Sequence, residues 1–228
     1  MKRVIAFDGV DCLGKTTVIN QLKEELIRNE YIPYVFHLTS PKSDYNGLFN
    51  QMNFGTLNNK QSDSLLQWSK FKQLFDCIKV ILSADLHNVV ILDRTPYSEN
   101  IWLDFFGRIN SYNNENILLY FLQDYKELNN EIKFINLDVS TVKIADRILL
   151  RDADRKNYLN AFDLIYDKNK LPQYNPDESM SKILYMVNKV KEYFNKLFVI
   201  LIQNNIEVIT LQNETPDDIN NIIKTILQ

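Results

Sequence analysis

The sequence predicts an α/β fold, a five-stranded parallel sheet with helices on both faces, and three observations carry that prediction. Short apolar runs alternate with longer stretches of helical period along the chain, the order that builds a parallel sheet. Val89-Val90-Ile91-Leu92 is continuously apolar, as a strand covered on both faces must be. Val4-Ile5-Ala6-Phe7 leads straight into Gly9-Val10-Asp11-Cys12-Leu13-Gly14-Lys15-Thr16-Thr17, which fits G-x-x-x-x-G-K-[S/T] in a strand–loop–helix setting.

The elements follow in chain order. After the strand at 4–7, Val18, Ile19, Leu22, Leu26 and Ile27 keep helical spacing over 18–27. A second strand is expected at 34–38, then a polar loop over 39–61 containing Pro41, Gly47 and Gly55. Leu65, Leu66, Trp68, Phe71, Phe75, Ile78 and Leu82 predict one long helix over 62–86. The strand at 89–92 ends on Asp93-Arg94. Helices are expected at 97–106 and 115–128, a strand at 132–139, and a helix capped by Ser140 that runs to about 151. The charged stretch 151–156 interrupts it. Two more helices follow, broken at Lys170-Leu171-Pro172, with 197–202 a buried helix end. The last strand lies at 206–211, and Thr215-Pro216-Asp217-Asp218 starts the closing helix.

With 228 residues, 45 % of them hydrophobic, five glycines and six prolines, the composition is that of a single globular domain over 1–228. A net charge of −3 makes no electrostatic case for nucleic-acid polymers or anionic membranes as partners. Cys12 and Cys77 form no disulfide framework, so a reducing cytoplasm is expected. The apolar stretch after Met1-Lys2-Arg3 stops at Asp8, too short for a signal peptide, and no run approaches membrane-spanning length.

The glycine loop carries the chemistry. Its backbone must curl so that successive N–H groups point at a phosphate at the positive end of the following helix. Gly9 and Gly14 allow backbone angles and close approaches that a Cβ would block. Lys15 supplies charge to the β/γ-phosphates, the Thr16 hydroxyl can complete a Mg²⁺ shell, and Thr17 belongs to the same nucleotide-binding turn. Asp93-Arg94 ends a buried strand, so both residues reach the edge of the sheet that holds this loop. There Asp93 can hold Mg²⁺ and Arg94 can clamp a phosphate with two hydrogen bonds, although a solvated ion pair at a strand end is the plainer alternative. Arg147 and Arg151 share a helix face, and Arg155 lies one step further, in or beyond the charged stretch. Arginines so placed read either as a lid over a triphosphate, at about 147–157, or as a solvated helix face paired with Asp146, Asp152 and Asp154. Lys70 and Lys72 lie on the long helix, and Trp102 follows Asp93-Arg94 closely enough to line the site. His37 and His87 stand without Cys or acidic partners at metal-ligand spacing.

Three blocks resemble the thymidylate kinase family. Phe7-Asp8-Gly9-Val10-Asp11 with Gly14-Lys15-Thr16-Thr17 is similar to the family's F-E-G-x-D-x-x-G-K-T-T opening. Asp93-Arg94 with Ser98, Asn100 and Trp102 resembles its D-R-Y…S-[S/N]-x-x-Y segment. Leu137-Asp138-Val139, Arg147, Arg151 and Asp154-Arg155 resemble its L-D-V…R-x-x-x-R…D-R lid. The resemblance implies a P-loop kinase fold with an arginine-bearing lid, ATP as phosphoryl donor, Mg²⁺, and dTMP as acceptor. It further implies that Asp11 binds the deoxyribose 3′-hydroxyl, Arg94 the acceptor phosphate and Asn100 the pyrimidine edge. Lys70 or Lys72 stands where the family has a helix arginine, Thr95 stands for the tyrosine of D-R-Y, and a homodimer is implied.

The same residues bear on two other readings. Asp93-Arg94-Thr95-Pro96-Tyr97-Ser98-Glu99 is also similar to the [D/E]-R-S-x-Y-[S/E]-[D/E] segment of deoxynucleoside kinases. A nucleoside hydroxyl must lose a proton as it attacks, and such kinases resemble one another in a Glu just after the second strand. Here that stretch is His37-Leu38-Thr39-Ser40-Pro41, with no carboxylate before Asp44, which favours a monophosphate acceptor. A GTP-binding switch is expected to carry N-K-x-D. Asn169-Lys170-Leu171-Pro172, Asn188-Lys189-Val190-Lys191 and Asn195-Lys196-Leu197-Phe198 all lack the closing Asp.

Overall fold

The computed structural model describes residues 2–37, 59–95, 123, 127, 131–165 and 179–228, the side chains of 59–71 and 164–165 excepted. Its elements are β1 (Val4–Asp8), α1 (Lys15–Arg28), β2 (Ile32–His37), α2 (Asn59–Ala84), β3 (Asn88–Asp93), β4 (Ile132–Asp138), α3 (Thr141–Leu149), α4 (Asp152–Ile165), α5 (Ser179–Gln203), β5 (Glu207–Gln212) and α6 (Asp218–Leu227). The five strands form one sheet in the order β2-β3-β1-β4-β5, and every pairing is parallel. The α/β reading is met, strand for strand.

Burial follows this order. Central β1 is buried at all five positions, which requires cover on both faces, whereas edge strand β2 alternates between exposed and half-buried. Phe7 and Asp93 are register partners, as are Asp8 and Asn136, so the exits of β3, β1 and β4 lie side by side. α1 buries Val18, Ile19, Leu22 and Leu26, as its spacing predicts, and leaves Ile27 exposed. α1 packs with α6, while α3, α4 and α5 pack together and α5 reaches β5. No helix among the described residues is long and apolar enough to cross a membrane.

Three local outcomes differ from the sequence reading. The charged stretch is not a loop: the chain breaks only at Leu150-Arg151, and Asp152 opens a new helix. Asp152 and Asp154 in that helix's first turn complement its dipole, which is why such a charged run folds there. Ser140 occupies the N-cap of α3 without a side-chain cap bond. Its amide instead donates to Glu214 at 2.6 Å. At α6 the work falls to Asp218, whose carboxylate accepts from the Glu214 and Thr215 amides at 2.9 and 2.8 Å. The apolar stretch 197–202 is buried at Leu197, Phe198 and Leu201 but exposes Val199 and Ile202. The expected helices at 97–106 and 115–128, and the loop from 39 to 58, lie outside the described residues, apart from helical positions 123 and 127.

Candidate active site

The loop between β1 and α1 turns through three left-handed residues, Gly9 (φ 130°), Cys12 (φ 62°) and Gly14 (φ 85°). Such alternation curls a backbone into an anion-binding concavity. A Cβ on Gly14 would lie 2.8 Å from Nδ2 of Asn213, which itself donates to the Leu13 carbonyl at 2.6 Å. Asn213 follows β5, and its own amide donates to Asp138 at 2.9 Å. The last strand thus braces the loop from behind. Lys15 is only 6 % exposed, and its Nζ donates to the Val10 and Gly9 carbonyls at 2.6 and 3.2 Å. Burial lowers its pKa, while the charges of Asp93 and Asp8 oppose that loss. Thr16 and Thr17 are exposed at the first turn of α1.

The neighbouring strand delivers the second half. Asp93, at the end of β3, bonds His37 Nδ1 at 2.9 Å, so His37 is partnered by an acid from across the sheet. Arg94 adopts φ 72°, donates its amide to the Phe7 carbonyl at 2.9 Å, and pairs through Nη2 with Oδ1 of Asp11. Asp8 is fully buried and accepts from the amide of Thr95 at 3.1 Å and from its hydroxyl. Burial pushes the Asp8 carboxyl up to about 6, opposed by those bonds and by the charges of Lys15 and Arg94.

The helices after β4 close over the loop. Arg147, near the end of α3, donates to the Cys12 carbonyl at 3.0 Å. The Cys12 thiol donates to Asp154 of α4 at 3.4 Å, and burial raises it to about 11, which keeps it a protonated donor. Arg151 lies 3.7 Å from Asp154, and Arg155 bonds Asp152 at 2.7 Å. Both guanidiniums are largely exposed. Tyr158 on α4 is buried close enough to Arg94 and Cys12 for their charges to bear on its phenol, whose pKa burial raises well above the usual range.

Gly9, Asp11, Gly14, Lys15, Thr16, Asp93, Arg94 and Arg147 therefore converge on one sheet edge, as expected. Lys72 is exposed on α2, with Asp76 at 4.0 Å. The Lys70 side chain and residues Ser98, Asn100 and Trp102 lie outside the described residues. The tetrapeptides starting at Asn188 and Asn195 fall inside α5, where a guanine-reading loop cannot form. The sequence assigns no role to Asp8, Tyr158 or Asn213, and it reads neither the Asp93 partner of His37 nor the Asp8 partner of Thr95. Only Asp8 and Thr95 sit inside motifs that could have drawn attention to them.

No protein-family profile matches the chain, and no curated protein is significantly similar to it. Solved structures do match. The chain is similar to deoxyadenosine kinase from M. mycoides, solved with bound dATP, at 17 % identity and a TM-score of 0.53. The match covers 99 % of this chain and 100 % of that one. The fold is that of the P-loop kinases. The YorR protein of Bacillus subtilis, in complex with phosphorylated GDP, is 18 % identical over 98 % of this chain and 93 % of that one, with a TM-score of 0.48.

Proposed function

We propose that the chain is an ATP- and Mg²⁺-dependent phosphotransferase whose acceptor is a deoxynucleoside monophosphate, dTMP first. One observation supports this above the others: Arg94 leaves β3 in a left-handed turn and meets Asp11 of the phosphate loop. An arginine turned toward the loop's contents suits an acceptor that brings its own phosphate. That acceptor is already anionic, so transfer needs positioning and charge neutralisation rather than a base.

In this reading Lys15 and the loop amides hold the donor phosphates, with Gly9, Gly14 and Thr17 shaping the cradle. Thr16 and Asp93 would hold Mg²⁺; both offer the oxygen donors a hard cation requires, and Asp93 is near enough to bear on the Lys15 charge. When bound, Mg²⁺ neutralises charge on the donor phosphates. Asp11 would take the sugar hydroxyl, Arg94 the acceptor phosphate, and Ser98, Asn100 and Trp102 the base side. Lys70 or Lys72 would assist on the acceptor phosphate. Arg147, Arg151 and Arg155 would form the lid that neutralises charge during transfer and excludes water. A cytoplasmic homodimer is the expected form.

The second reading is a nucleoside acceptor, since the neighbour at TM-score 0.53 is named a deoxyadenosine kinase. A nucleoside hydroxyl needs a base, a part that His37, paired with Asp93 at the end of β2, would have to play in place of a glutamate.

Coupled ADP release, measured across the common nucleosides and their monophosphates, tests the proposal. ADP should form rapidly only with a monophosphate present, and Lys15→Met should retain no more than about a few per cent of turnover. Nucleotide hydrolysis that ignores every acceptor would overturn it.

A further inference from the structure

Asp8 closes β1 with a carboxylate that has no contact with solvent. Burying such a group is costly unless it is hydrogen-bonded. Both of its oxygens are engaged by one residue: the Thr95 amide donates to Oδ1 at 3.1 Å, and the Thr95 hydroxyl donates to Oδ2. Thr95 is likewise inaccessible. Between this pair and β3 sits Arg94, at φ 72°, with its own amide bonded to Phe7. Arg94 is therefore pinned from both sides by the last two residues of β1.

A non-glycine residue in the left-handed region is strained and persists where its surroundings over-determine it. Here the surroundings are two bonds to a buried carboxylate, which are stronger than bonds to a neutral acceptor. An extended Arg94 would prolong β3. The left-handed turn ends the strand at Asp93 and lets the guanidinium reach Asp11 on the phosphate loop.

We infer that Asp8 and Thr95 are positioning residues: together they hold Arg94 in its left-handed turn and so aim its guanidinium at the acceptor phosphate. The inference rests on the monophosphate reading above. Having no exposed surface, neither residue touches a ligand, and both act through Arg94. Near neutral pH the Asp8 carboxyl, raised to about 6, is ionised and accepts both bonds.

The test compares Thr95→Val, which removes the hydroxyl, with Thr95→Ser, which keeps it. Thr95→Val should raise the monophosphate KM by about tenfold or more while the ATP KM stays within about twofold, and Thr95→Ser should restore wild-type behaviour. The double variant Thr95→Val, Arg94→Ala should be no worse than Arg94→Ala alone, because the two act as one unit. Should Thr95→Val fold poorly, Asp8→Ala, which removes both acceptors of Thr95, provides the same comparison. Equal rises in both KM values, an additive double variant, or no rescue by serine would overturn the inference. If the wild type uses no monophosphate, the functional reading fails by itself. Crystal structures then decide the positioning claim. Thr95→Val should release Arg94 from positive φ and from Asp11 while Thr95→Ser does not, and a retained turn in Thr95→Val would contradict it.

Discussion

Arg147 donates through Nη1 to the Cys12 carbonyl at 3.0 Å, tying the end of α3 to the tip of the phosphate loop. The same cysteine reaches α4 through its thiol and Asp154. The two helices therefore grip the loop at one residue, from its backbone and from its side chain. Among the described residues Arg151 pairs with Asp154, the same carboxylate that the thiol reaches, and Arg155 with Asp152, so neither arginine bonds the loop itself.

That contrast separates the arginines kinetically. Arg151→Ala and Arg155→Ala should lower kcat by about 10³-fold with little change in acceptor KM, as expected of groups that act on the transferring phosphoryl. Arg147→Ala should in addition raise the ATP KM, because it loosens the loop. Arg28→Ala, on the exposed side of α1 beside Glu24 and Glu25, should be silent. Steady-state kinetics on the four variants decide this, and small equal effects would reduce the cluster to a solvated surface.

The brace behind the loop makes a coupled prediction. Gly14→Ala forces a Cβ into the left-handed region, a cost of about 1–2 kcal/mol, and against the Asn213 amide. Asn213→Ala removes a buried hydrogen bond, a loss of about 1 kcal/mol. Combined, they should destabilise by less than the sum, because the second substitution removes the atom that the first one strikes. Urea unfolding of the two single variants and the double variant measures the coupling.

Asp8 leaves a signature in the pH dependence of stability. Its carboxyl is raised from 3.8 to about 6 in the folded chain. The folded state thus binds the proton more tightly, and this contribution is complete below pH 3.8 and lost as the pH rises through about 6. The shift corresponds to about 3 kcal/mol. Relative to Asp8→Asn, the wild type should lose stability of that order between about pH 4 and pH 7. Curves that run parallel across this window would show that the buried carboxyl is not perturbed.

How much of this was legible beforehand divides along physical lines. The strands and the glycine loop were readable because period and spacing are local properties: every expected strand is present within two residues. The charged stretch reads as an interruption until its aspartates are counted as first-turn residues complementing a helix dipole. Asn213 and Tyr158 were unreadable for a different reason. Each is tied to residues far off in the chain, Asn213 by its bond to Leu13 and Tyr158 by the charges of Arg94 and Cys12 that bear on its phenol, and neither lies in a motif. His37 stood without a sequence partner because Asp93 reaches it across the β2–β3 pairing.

The central claim is that Arg94 serves an acceptor phosphate, and kcat/KM for dTMP against thymidine, at equal ATP and Mg²⁺, tests it most directly. Arg94 already faces Asp11, and an acceptor phosphate adds a charge-assisted contact that thymidine cannot make, so dTMP should be preferred by about 10³-fold or more. Arg94→Ala should abolish most of that preference without creating a nucleoside kinase. A wild type that uses thymidine or another deoxynucleoside better than its monophosphate would contradict the account.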